Sequence, residues 1–376
     1  MPKALIIGGG IGGLAAAIAL RQAGIDAEVL ERTEAIEEVG AGISLWANAI
    51  DALDAIGVGH VIRAASVEYT VGGLRTADGS VLTQVSADEL VRAFGTPVIV
   101  MHRADLVAAL LGAIAPRTLR LGSRCLSVRQ DDRGVTAQLA DGRTAAGDLL
   151  IGADGLNSVV RAALHGSNPP TYAGCTAWRA VVPFDTRAIR ATETWGAGNL
   201  FGQVPIRGNR VYWYAAKSAP PGERPAAAKA ELLRLFSGWH EPIGALIDAA
   251  DESAILQNDI FDRAPLRSWG HGRITLLGDA AHPMTPFLGQ GGCQALEDAV
   301  VLGRRLRNAP VIPAALRAYE AERMRRANAF VRRSRLVGRI ARLRNPLAVA
   351  LRNGLLKRLD PQRQARQLAR LIKPVT

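Results

Sequence analysis

The chain has few cysteines and no hydrophobic run long enough to cross a membrane. Its three cysteines, Cys125, Cys175 and Cys293, are odd in number and far apart among 376 residues. They show neither metal-ligand nor CxxC spacing, so the sequence predicts no metal site and no disulfide framework. Such cysteine usage is typical of a reducing compartment, and we expect a cytoplasmic protein. A membrane-spanning helix, which needs about 20 consecutive apolar residues, is excluded.

Acidic residues are scarce at the C-terminal end. Residues 322–376 hold 16 of the 46 Lys and Arg residues but 2 of the 34 Asp and Glu residues. The net charge of +12 therefore belongs to this end, because the other 30 basic and 32 acidic residues nearly cancel. No aromatic residue follows Phe330. Nucleic-acid enzymes typically interleave basic and aromatic groups on their body, so we expect no nucleic-acid partner.

Low-complexity tracts are also absent, and the chain is 48% hydrophobic and 21% charged. This balance excludes a mostly disordered protein and provides for a sizeable core. The length is typical of two domains. We interpret the N-terminal stretch MPKALII as a structural strand and not a signal peptide, since it runs into a glycine cluster without a cleavage-site pattern.

Residues 4–31 predict a β-α-β unit that binds a dinucleotide. A short apolar strand enters the turn GGGIGG, an alanine-rich helix follows, and a second strand ends at Glu31. Gly8, Gly10 and Gly13 form GxGxxG, whose glycines allow a tight turn, close approach of a pyrophosphate and close helix–strand packing. The phosphates would lie at the helix N-terminus, where free N–H groups favour anions. Glu31 can accept hydrogen bonds from the adenosine ribose, which leaves NAD and FAD both open.

The rest of the chain predicts an α/β protein in which a β-rich segment interrupts the nucleotide-binding fold. A second strand, glycine turn and helix lie in DLLIGADGLNSVVRAAL, residues 148–164. Residues 172–217 alternate as strands of an antiparallel sheet do. A further strand, RITLL, is followed by a turn of small residues at 278–292 and an amphipathic helix. We therefore predict a Rossmann-like domain, an inserted antiparallel-sheet domain and a C-terminal helical segment.

The predicted domains are discontinuous in sequence. The nucleotide-binding domain covers residues 1–170 and resumes at 270–335. The inserted substrate domain covers residues 171–269, and part of 71–97 joins it. Residues 336–376 form a helical basic tail, because prolines break this segment into separate helices.

Four motifs stand in order along the chain and together resemble one enzyme family. They are GGGIGG at 8–13 with Glu31, RADL at 103–106, GADGLNSVVR at 152–161 and GDAAHPMTPFLGQGG at 278–292. The combination resembles the single-component FAD-dependent monooxygenases, the p-hydroxybenzoate hydroxylase family, over roughly residues 1–330. Within that family, MTPFLGQGGCQALEDAVVL and WYA are most similar to the group of salicylate and 3-hydroxybenzoate hydroxylases, urate hydroxylase and zeaxanthin epoxidase.

The resemblance implies FAD as the bound cofactor. In the family the aspartate of the G-D turn hydrogen-bonds the ribityl chain, which is Asp279 here, and Arg103 matches an arginine that contacts FAD. Asp154 matches a motif associated with both FAD and pyridine nucleotides. The prolines and glycines after Asp279 would form a flat wall for the isoalloxazine ring, since no side chain protrudes from them. The expected cofactor-binding residues are Gly8, Gly10, Ile11, Gly12, Gly13, Glu31, Arg32, Gly42, Ile43, Arg103, Asp154, Asp279, Pro286, Gly289, Gly291 and Gly292.

The family's chemistry implies NADH or NADPH and O2 as co-substrates. Hydride reduction of FAD and reaction with O2 would give a flavin C4a-hydroperoxide, which transfers one oxygen to a small substrate. We therefore expect hydroxylation or epoxidation of an aromatic or polycyclic compound. Two alternatives stay open: an FAD-dependent reductase or dehydrogenase of the same fold, and a flavin-binding protein with little turnover. Arg179 and His282 are the candidate catalytic residues, although a place in the flavin wall suits His282 better than a general-base role.

The sheet at 172–217 is expected to roof the substrate pocket, because it concentrates aromatic residues. By alternation Tyr212 and Tyr214 share one face and Trp213 lies on the other, and the sequence leaves open which face meets the substrate. In the related urate hydroxylase an arginine stands in the roof strand where this chain has Leu200, so urate is not the expected substrate. The expected pocket residues are Trp46, Trp178, Arg179, Phe201, Trp213, Pro286 and Phe287.

The basic tail carries leucine stripes with two interpretations. Leu347, Leu351 and Leu355 recur every four residues, and a second stripe follows at 368–372. One interpretation is a helix at a membrane surface, with arginines on anionic headgroups. The other, which we favour, is that the leucines pack on the enzyme's own body and the arginines face solvent. We expect a monomer or homodimer without membrane contact.

Overall fold

The structure of the chain is a computed structural model that describes residues 1–36, 40–69 and 71–372. The helices, numbered in chain order, are α1 (Ile11–Gln22), α2 (Ala47–Ala55), α3 (Gly59–Ala65), α4 (Ala87–Phe94), α5 (Arg103–Ala113), α6 (Val159–His165), α7 (Ala228–Leu235), α8 (Ile243–Asp248), α9 (Gly291–Leu306), α10 (Ile312–Ala341), α11 (Pro346–Lys357) and α12 (Pro361–Ile372). The strands are β1 (Lys3–Ile7), β2 (Asp26–Leu30), β3 (Gly42–Leu45), β4 (Val67–Glu68), β5 (Val71–Thr76), β6 (Val81–Ser86), β7 (Ile99–His102), β8 (Leu119–Arg120), β9 (Cys125–Gln130), β10 (Val135–Leu139), β11 (Thr144–Gly147), β12 (Leu149–Gly152), β13 (Thr171–Pro183), β14 (Thr192–Trp195), β15 (Asn199–Ile206), β16 (Arg210–Lys217), β17 (Leu256–Asp262) and β18 (Ile274–Leu276).

A parallel sheet forms the centre of the first domain, in the strand order β18-β12-β1-β2-β8. β1 lies in its middle and pairs in parallel with β12, where Ala4 stands opposite Leu149, and with β2. Its sequence ALII is apolar throughout because both faces of such a sheet are covered. α1 packs closely against α9, where a Cβ at Gly303 would lie 2.8 Å from the carbonyl oxygen of Ala19. The predicted Rossmann-like domain is confirmed.

The inserted domain is built on a second sheet, in the order β17-β13-β16-β15-β14-β5-β6. Neighbouring strands are antiparallel except for β14 and β5, which are parallel. β5 and β6 come from residues 71–86, so this part of the chain belongs to the inserted sheet. α7 and α8 pack on one face of the sheet, and the other face turns toward the first domain. The predicted antiparallel insertion is confirmed.

The long helix α10 ties the two domains together. It packs along α9 of the first domain. Near its C-terminal end, Arg335 forms a double hydrogen bond to Asp262 of β17, at 2.7 and 2.6 Å. One helix therefore fixes the inserted sheet relative to the nucleotide-binding domain.

α12 closes the described part of the tail by packing against α4 and β6. Its apolar residues Leu368 and Leu371 are half-buried and Ile372 is buried, as the favoured interpretation expects. Residues 373–376 of the predicted tail lie outside the described residues. Within the described chain, no helix combines the length and apolar character needed to cross a bilayer.

The favoured interpretation of the first leucine stripe is wrong. Leu347, Leu351 and Leu355 of α11 are 81%, 66% and 56% exposed. The inner side of α11 instead carries Arg352, which is buried and donates hydrogen bonds to three backbone carbonyls. The spacing of the leucines predicts a helix, but it does not decide which side of that helix meets the protein.

Candidate active site

The turn after β1 leaves open space at the N-terminus of α1. Gly8 has a φ of +107°, and a Cβ there would lie 2.5 Å from the carbonyl oxygen of Ala153. A Cβ at Gly13 would lie 1.9 Å from the carbonyl oxygen of Gly8, so the turn requires glycine at both positions. At Gly10, the N-cap of α1, no described atom stands within 4 Å of a Cβ. A pyrophosphate fits this space and would meet the free N–H groups of α1.

The residues beside this turn have two roles: one accepts a hydrogen bond from the turn, and others pack α1 on the sheet. Glu31 follows β2, and its Oε2 accepts a hydrogen bond from the Gly9 N–H at 2.6 Å. Arg32 is exposed next to it. Ile11 is buried, and a Cβ at Gly12 would lie 2.6 Å from a neighbouring leucine side chain. Glu31 therefore fixes the glycine turn, while the first residues of α1 serve its packing on the sheet.

The G-D turn presents Asp279 to the cleft. The Gly278 N–H donates to Asp298 at 3.0 Å, which fixes the turn and leaves the Asp279 side chain exposed. Desolvation by the surrounding protein raises the pKa of the Asp279 carboxyl, and the charges of His282 and Arg103 oppose this rise. Burial lowers the pKa of Arg103, and Asp279 opposes that effect in turn. The Asp279 carboxylate and the Arg103 guanidinium therefore each favour the charged form of the other.

The residues expected to form the flavin wall, Pro286, Gly289, Gly291 and Gly292, lie in the turn that leads into α9 and in the first turn of that helix. Gly289 is exposed and takes the left-handed conformation with φ +60°. A Cβ at Gly289 would lie 3.4 Å from Nε1 of Trp46, and this buried indole N–H has no hydrogen-bond partner among the described residues. A Cβ at Gly292, in the first turn of α9, would lie 3.1 Å from Ile43. The wall is therefore bounded by a helix N-terminus together with Trp46 and Ile43.

One face of the inserted sheet lies over this region. Tyr212 is on that face, because a Cβ at Gly42 would lie 2.4 Å from the tyrosine ring. Arg179 of β13 is on it as well. It stands opposite Tyr214 of β16, which lies two residues after Tyr212 and therefore on the same face. Burial raises the pKa of Tyr212, and the charges of Arg179 and Arg103 oppose this rise. We call this side of the sheet the tyrosine face.

Sequence reasoning missed Glu193, which lies on the tyrosine face. The Tyr214 hydroxyl donates to Glu193 at 2.6 Å, and the Trp195 indole N–H donates to the same carboxylate. Burial raises the pKa of both Glu193 and Tyr214. Leu200 and Phe287 belong to the apolar cluster that contains Trp195. The alternation TETW in β14 was the available signal, but it gives no hint of the tyrosine partner.

Three aromatic residues expected in the pocket lie on the opposite face of the sheet. Trp178, Phe201 and Trp213 are at most 1% exposed and pack with α7 and α8 in a separate apolar cluster. The rings of Phe201 and Trp213 stack with their centroids 5.6 Å apart. The expectation is corrected for these three, because alternation sends Trp213 away from Tyr212 and two helices turn its face into core.

A buried ionic network stands behind the wall. Nε2 of His282 lies 2.6 Å from Oδ2 of Asp298, and Arg323 Nε donates to Oδ1 of Asp298 at 2.7 Å. Burial alone would raise the pKa of Asp298, but His282 and Arg323 lower it to about 2. Arg323 also donates to Glu297 and Gln294. His282 is 1% exposed, so its place is in the support of the turn, and the structure does not favour it as a general base.

The second glycine turn and the helix that follows it support the turn that holds Asp279. Asp154 caps α6, because its carboxylate accepts hydrogen bonds from the Ser158 hydroxyl at 2.5 Å and the Val159 N–H at 2.7 Å. Arg161, which sequence reasoning did not single out, donates to the carbonyls of residues 280–281 at 3.0 and 3.1 Å. Burial lowers the pKa of Arg161 to about 10, so it stays cationic at neutral pH. This motif therefore orders the loop that follows Asp279.

The side chain of Phe287, next to Pro286 in the wall, packs tightly on α10. A Cβ at Gly338 would lie 2.2 Å from its ring, so we expect Gly338→Ala to lower the free energy of unfolding by about 1–3 kcal/mol through overpacking. Gly354→Ala, in α11, is the matched control, because no described atom stands within 4 Å of its Cβ. The control should be neutral or stabilising, since alanine favours helix. Urea denaturation measures both, and a Gly338→Ala protein as stable as wild type contradicts the packing argument.

Known proteins are similar to nearly the whole chain. A family model described as FAD binding domain matches residues 1–334. The aurachin C monooxygenase/isomerase of Stigmatella aurantiaca is 44% identical over 363 residues, which cover 96% of this chain and 94% of that protein. The FAD-dependent urate hydroxylase of Klebsiella pneumoniae is 38% identical over 347 residues, which cover 89% of this chain and 88% of that protein.

The fold is shared with solved structures as well. The structure of Klebsiella pneumoniae HpxO complexed with FAD and uric acid has a TM-score of 0.93 and 34% identity, and the match covers 99% of this chain and 96% of that one. The similarity therefore includes the glycine turn, the G-D turn and the inserted sheet together. From the family match and these relatives, the chain belongs to the FAD binding domain family and is an FAD-dependent monooxygenase.

Proposed function

We propose that this monooxygenase uses NADH or NADPH and O2 to hydroxylate or epoxidise a small, weakly polar aromatic or polycyclic compound. The observation that carries the proposal is the apolar cluster in which Leu200 and Trp195 of the tyrosine face pack with Phe287 of the turn at 286–292. Arg179, on the same face of the sheet, would meet one acidic or phenolic group of such a compound.

The residues of the cleft fit FAD by their own geometry. Gly10 leaves room for a pyrophosphate, and Asp279 offers an exposed carboxylate to the hydroxyls of a ribityl chain. The first turn of α9 directs free N–H groups at the wall and favours negative charge there. Bound FAD supplies hydride acceptance and O2 activation. The chain itself holds the ring against the wall, orients the substrate and excludes water with apolar side chains.

Leu200 supports a substrate less polar than urate. Its side chain is 1% exposed within the apolar cluster and has no group that could bond to a polar purine. The relative named for aurachin C is also more similar to this chain, at 44% identity, than the urate hydroxylase, at 38%. We propose that compounds of the kind handled by the aurachin C enzyme are better candidates than urate.

A ligand panel tests this proposal. The FAD-loaded protein is mixed with NADH or NADPH and, in turn, with aurachin C, 3-hydroxybenzoate, salicylate and urate, and oxidation of the reductant is followed. We expect stimulation by an apolar or monoanionic aromatic compound and none by urate. Efficient urate-dependent oxidation with a matching oxygenated product contradicts the assignment of Leu200.

We further propose a cytoplasmic location and a monomeric or homodimeric state. The three cysteines are buried and free, which suits a reducing compartment. Sedimentation analysis of the purified protein distinguishes the two assembly states.

A further inference from the structure

α11 presents an apolar face to solvent and an arginine to the protein interior. Its outer side is formed by five exposed residues, which are Leu347, Ala350, Leu351, Gly354 and Leu355. Its inner side holds Arg352, which is buried and lies 5.4 Å from the ring of Trp195. A helix on the surface of a globular protein normally shows the reverse pattern, with apolar residues inward. The outer side of α11 therefore has the composition of a contact surface.

Exposed apolar side chains are also found at the end of α10. Six of the fourteen large apolar side chains that are exposed in the described part of the chain fall within residues 336–359. These six, which we call the leucine face, are Leu336, Ile340, Leu347, Leu351, Leu355 and Leu359. Single exposed leucines are ordinary, but such a concentration marks a site of interaction.

Cations border the leucine face. Exposed basic residues flank it on both helices, and they are Arg332, Arg333, Arg339, Lys357 and Arg358. Farther along α10, Arg325, Arg333 and Arg370 line an open cleft of about 690 Å³ between α10 and α12. Residues 322–376 contain 16 basic and 2 acidic residues, so little negative charge offsets this surface.

We propose that the leucine face docks on a lipid bilayer that contains anionic lipids. The leucines would enter the boundary of the acyl chains, and the flanking cations would contact headgroups. The charge selects this occupant over a second copy of the chain. In a symmetric pair both subunits use the same patch, so the two basic borders would lie against each other and repel.

Docking through this face would bring the active site close to the bilayer. Leu356, on the inner side of α11, packs in the apolar cluster that contains Leu200 and Phe287. The helix therefore has the bilayer on one side and the tyrosine face of the site on the other. This placement suits an apolar substrate that partitions into lipid.

Vesicle sedimentation of the FAD-loaded enzyme tests the proposal. Vesicles are made of phosphatidylcholine alone or of phosphatidylcholine with phosphatidylglycerol. We expect the enzyme to sediment with the anionic vesicles and to be released by salt, because the Debye length falls to about 3 Å at 1 M. The triple variant Leu347→Ser, Leu351→Ser, Leu355→Ser should bind at least about tenfold more weakly.

A matched control keeps the result specific. The double variant Leu121→Ser, Leu126→Ser also removes exposed leucines, which are 40% and 51% exposed in the first domain, and it should bind vesicles like wild type. Equal FAD content in all three proteins shows that each is folded. The proposal is overturned if wild type ignores anionic vesicles or binds neutral ones equally well, or if the triple variant binds like the control. A concentration-dependent dimer that the triple variant abolishes, without vesicle binding, assigns the face to a second copy instead.

Discussion

Replacement of Arg323 by methionine is expected to lower the free energy of unfolding by about 3–5 kcal/mol, because it removes the one buried cation that two buried carboxylates share. Arg323 is fully buried and donates to Asp298 and Glu297. In the variant, Glu297 keeps Arg326, whereas Asp298 keeps His282. Chemical denaturation followed by tryptophan fluorescence measures the change. The same network holds the G-D turn, so FAD binding should weaken along with stability.

The control is Arg332→Met, which changes an exposed arginine on the same helix and should shift stability by no more than about 0.5 kcal/mol.

The pH dependence of stability provides a second check of the Arg323 network. The folded pKa of Asp298 is lowered from 3.8 to about 2, so its stabilising contribution is fully present above 3.8 and is lost as pH falls through about 2. The difference between wild type and Arg323→Met should therefore shrink over that interval. A difference that stays constant, or a variant as stable as wild type, contradicts the role of the network.

Asp279→Ala is expected to purify with little FAD and to bind it about 10- to 100-fold more weakly. Loss of a charge-assisted hydrogen bond costs about 1.5–3 kcal/mol, and about 1.4 kcal/mol is tenfold in affinity. The Asp279 carboxylate is exposed, and the charge of Arg103 favours its ionised form. Titration of the apoprotein with FAD, followed by flavin fluorescence, gives the dissociation constant.

Two further variants make the Asp279 result specific. Asp132→Ala removes an exposed carboxylate in the turn after β9 and should keep full FAD affinity. Asp279→Asn retains the size of the side chain but not its charge, and it should fall between wild type and Asp279→Ala. An Asp279→Ala protein that stays fully yellow, with wild-type affinity for FAD, would show that the ribityl chain is held elsewhere.

The parts of the fold that follow from local sterics could be predicted from the sequence. Gly8 and Gly13 stand where any Cβ would collide with backbone, so the spacing of the glycines alone predicts the turn. The alternation of β16 likewise predicts that Tyr212 and Trp213 face opposite ways. It could not predict which face is core, because that depends on α7 and α8, which follow later in the chain and cover the side of Trp213.

Residues whose roles depend on distant partners could not be predicted. Arg323 lies 25 residues from Asp298, and Glu193 lies 21 residues from Tyr214 on another strand. Nothing in the local sequence distinguishes Asp298 or Glu193 from an acidic residue on the surface. Arg352 shows the same limit in α11. It is buried because carbonyls at the end of α10 and in the inserted sheet accept its hydrogen bonds, and this turns the leucines outward. Helical periodicity contains no information about such partners.

The source of the oxygen atom in the product identifies the reaction most directly. The FAD-loaded enzyme is supplied with NADH or NADPH and with the compound from the ligand panel that best stimulates oxidation, under an atmosphere of ¹⁸O2, and the product is analysed by mass spectrometry. A monooxygenase predicts a product that carries a single ¹⁸O atom and that forms in proportion to the reductant consumed. A product that forms equally well without O2, or whose added oxygen comes from water, would contradict it.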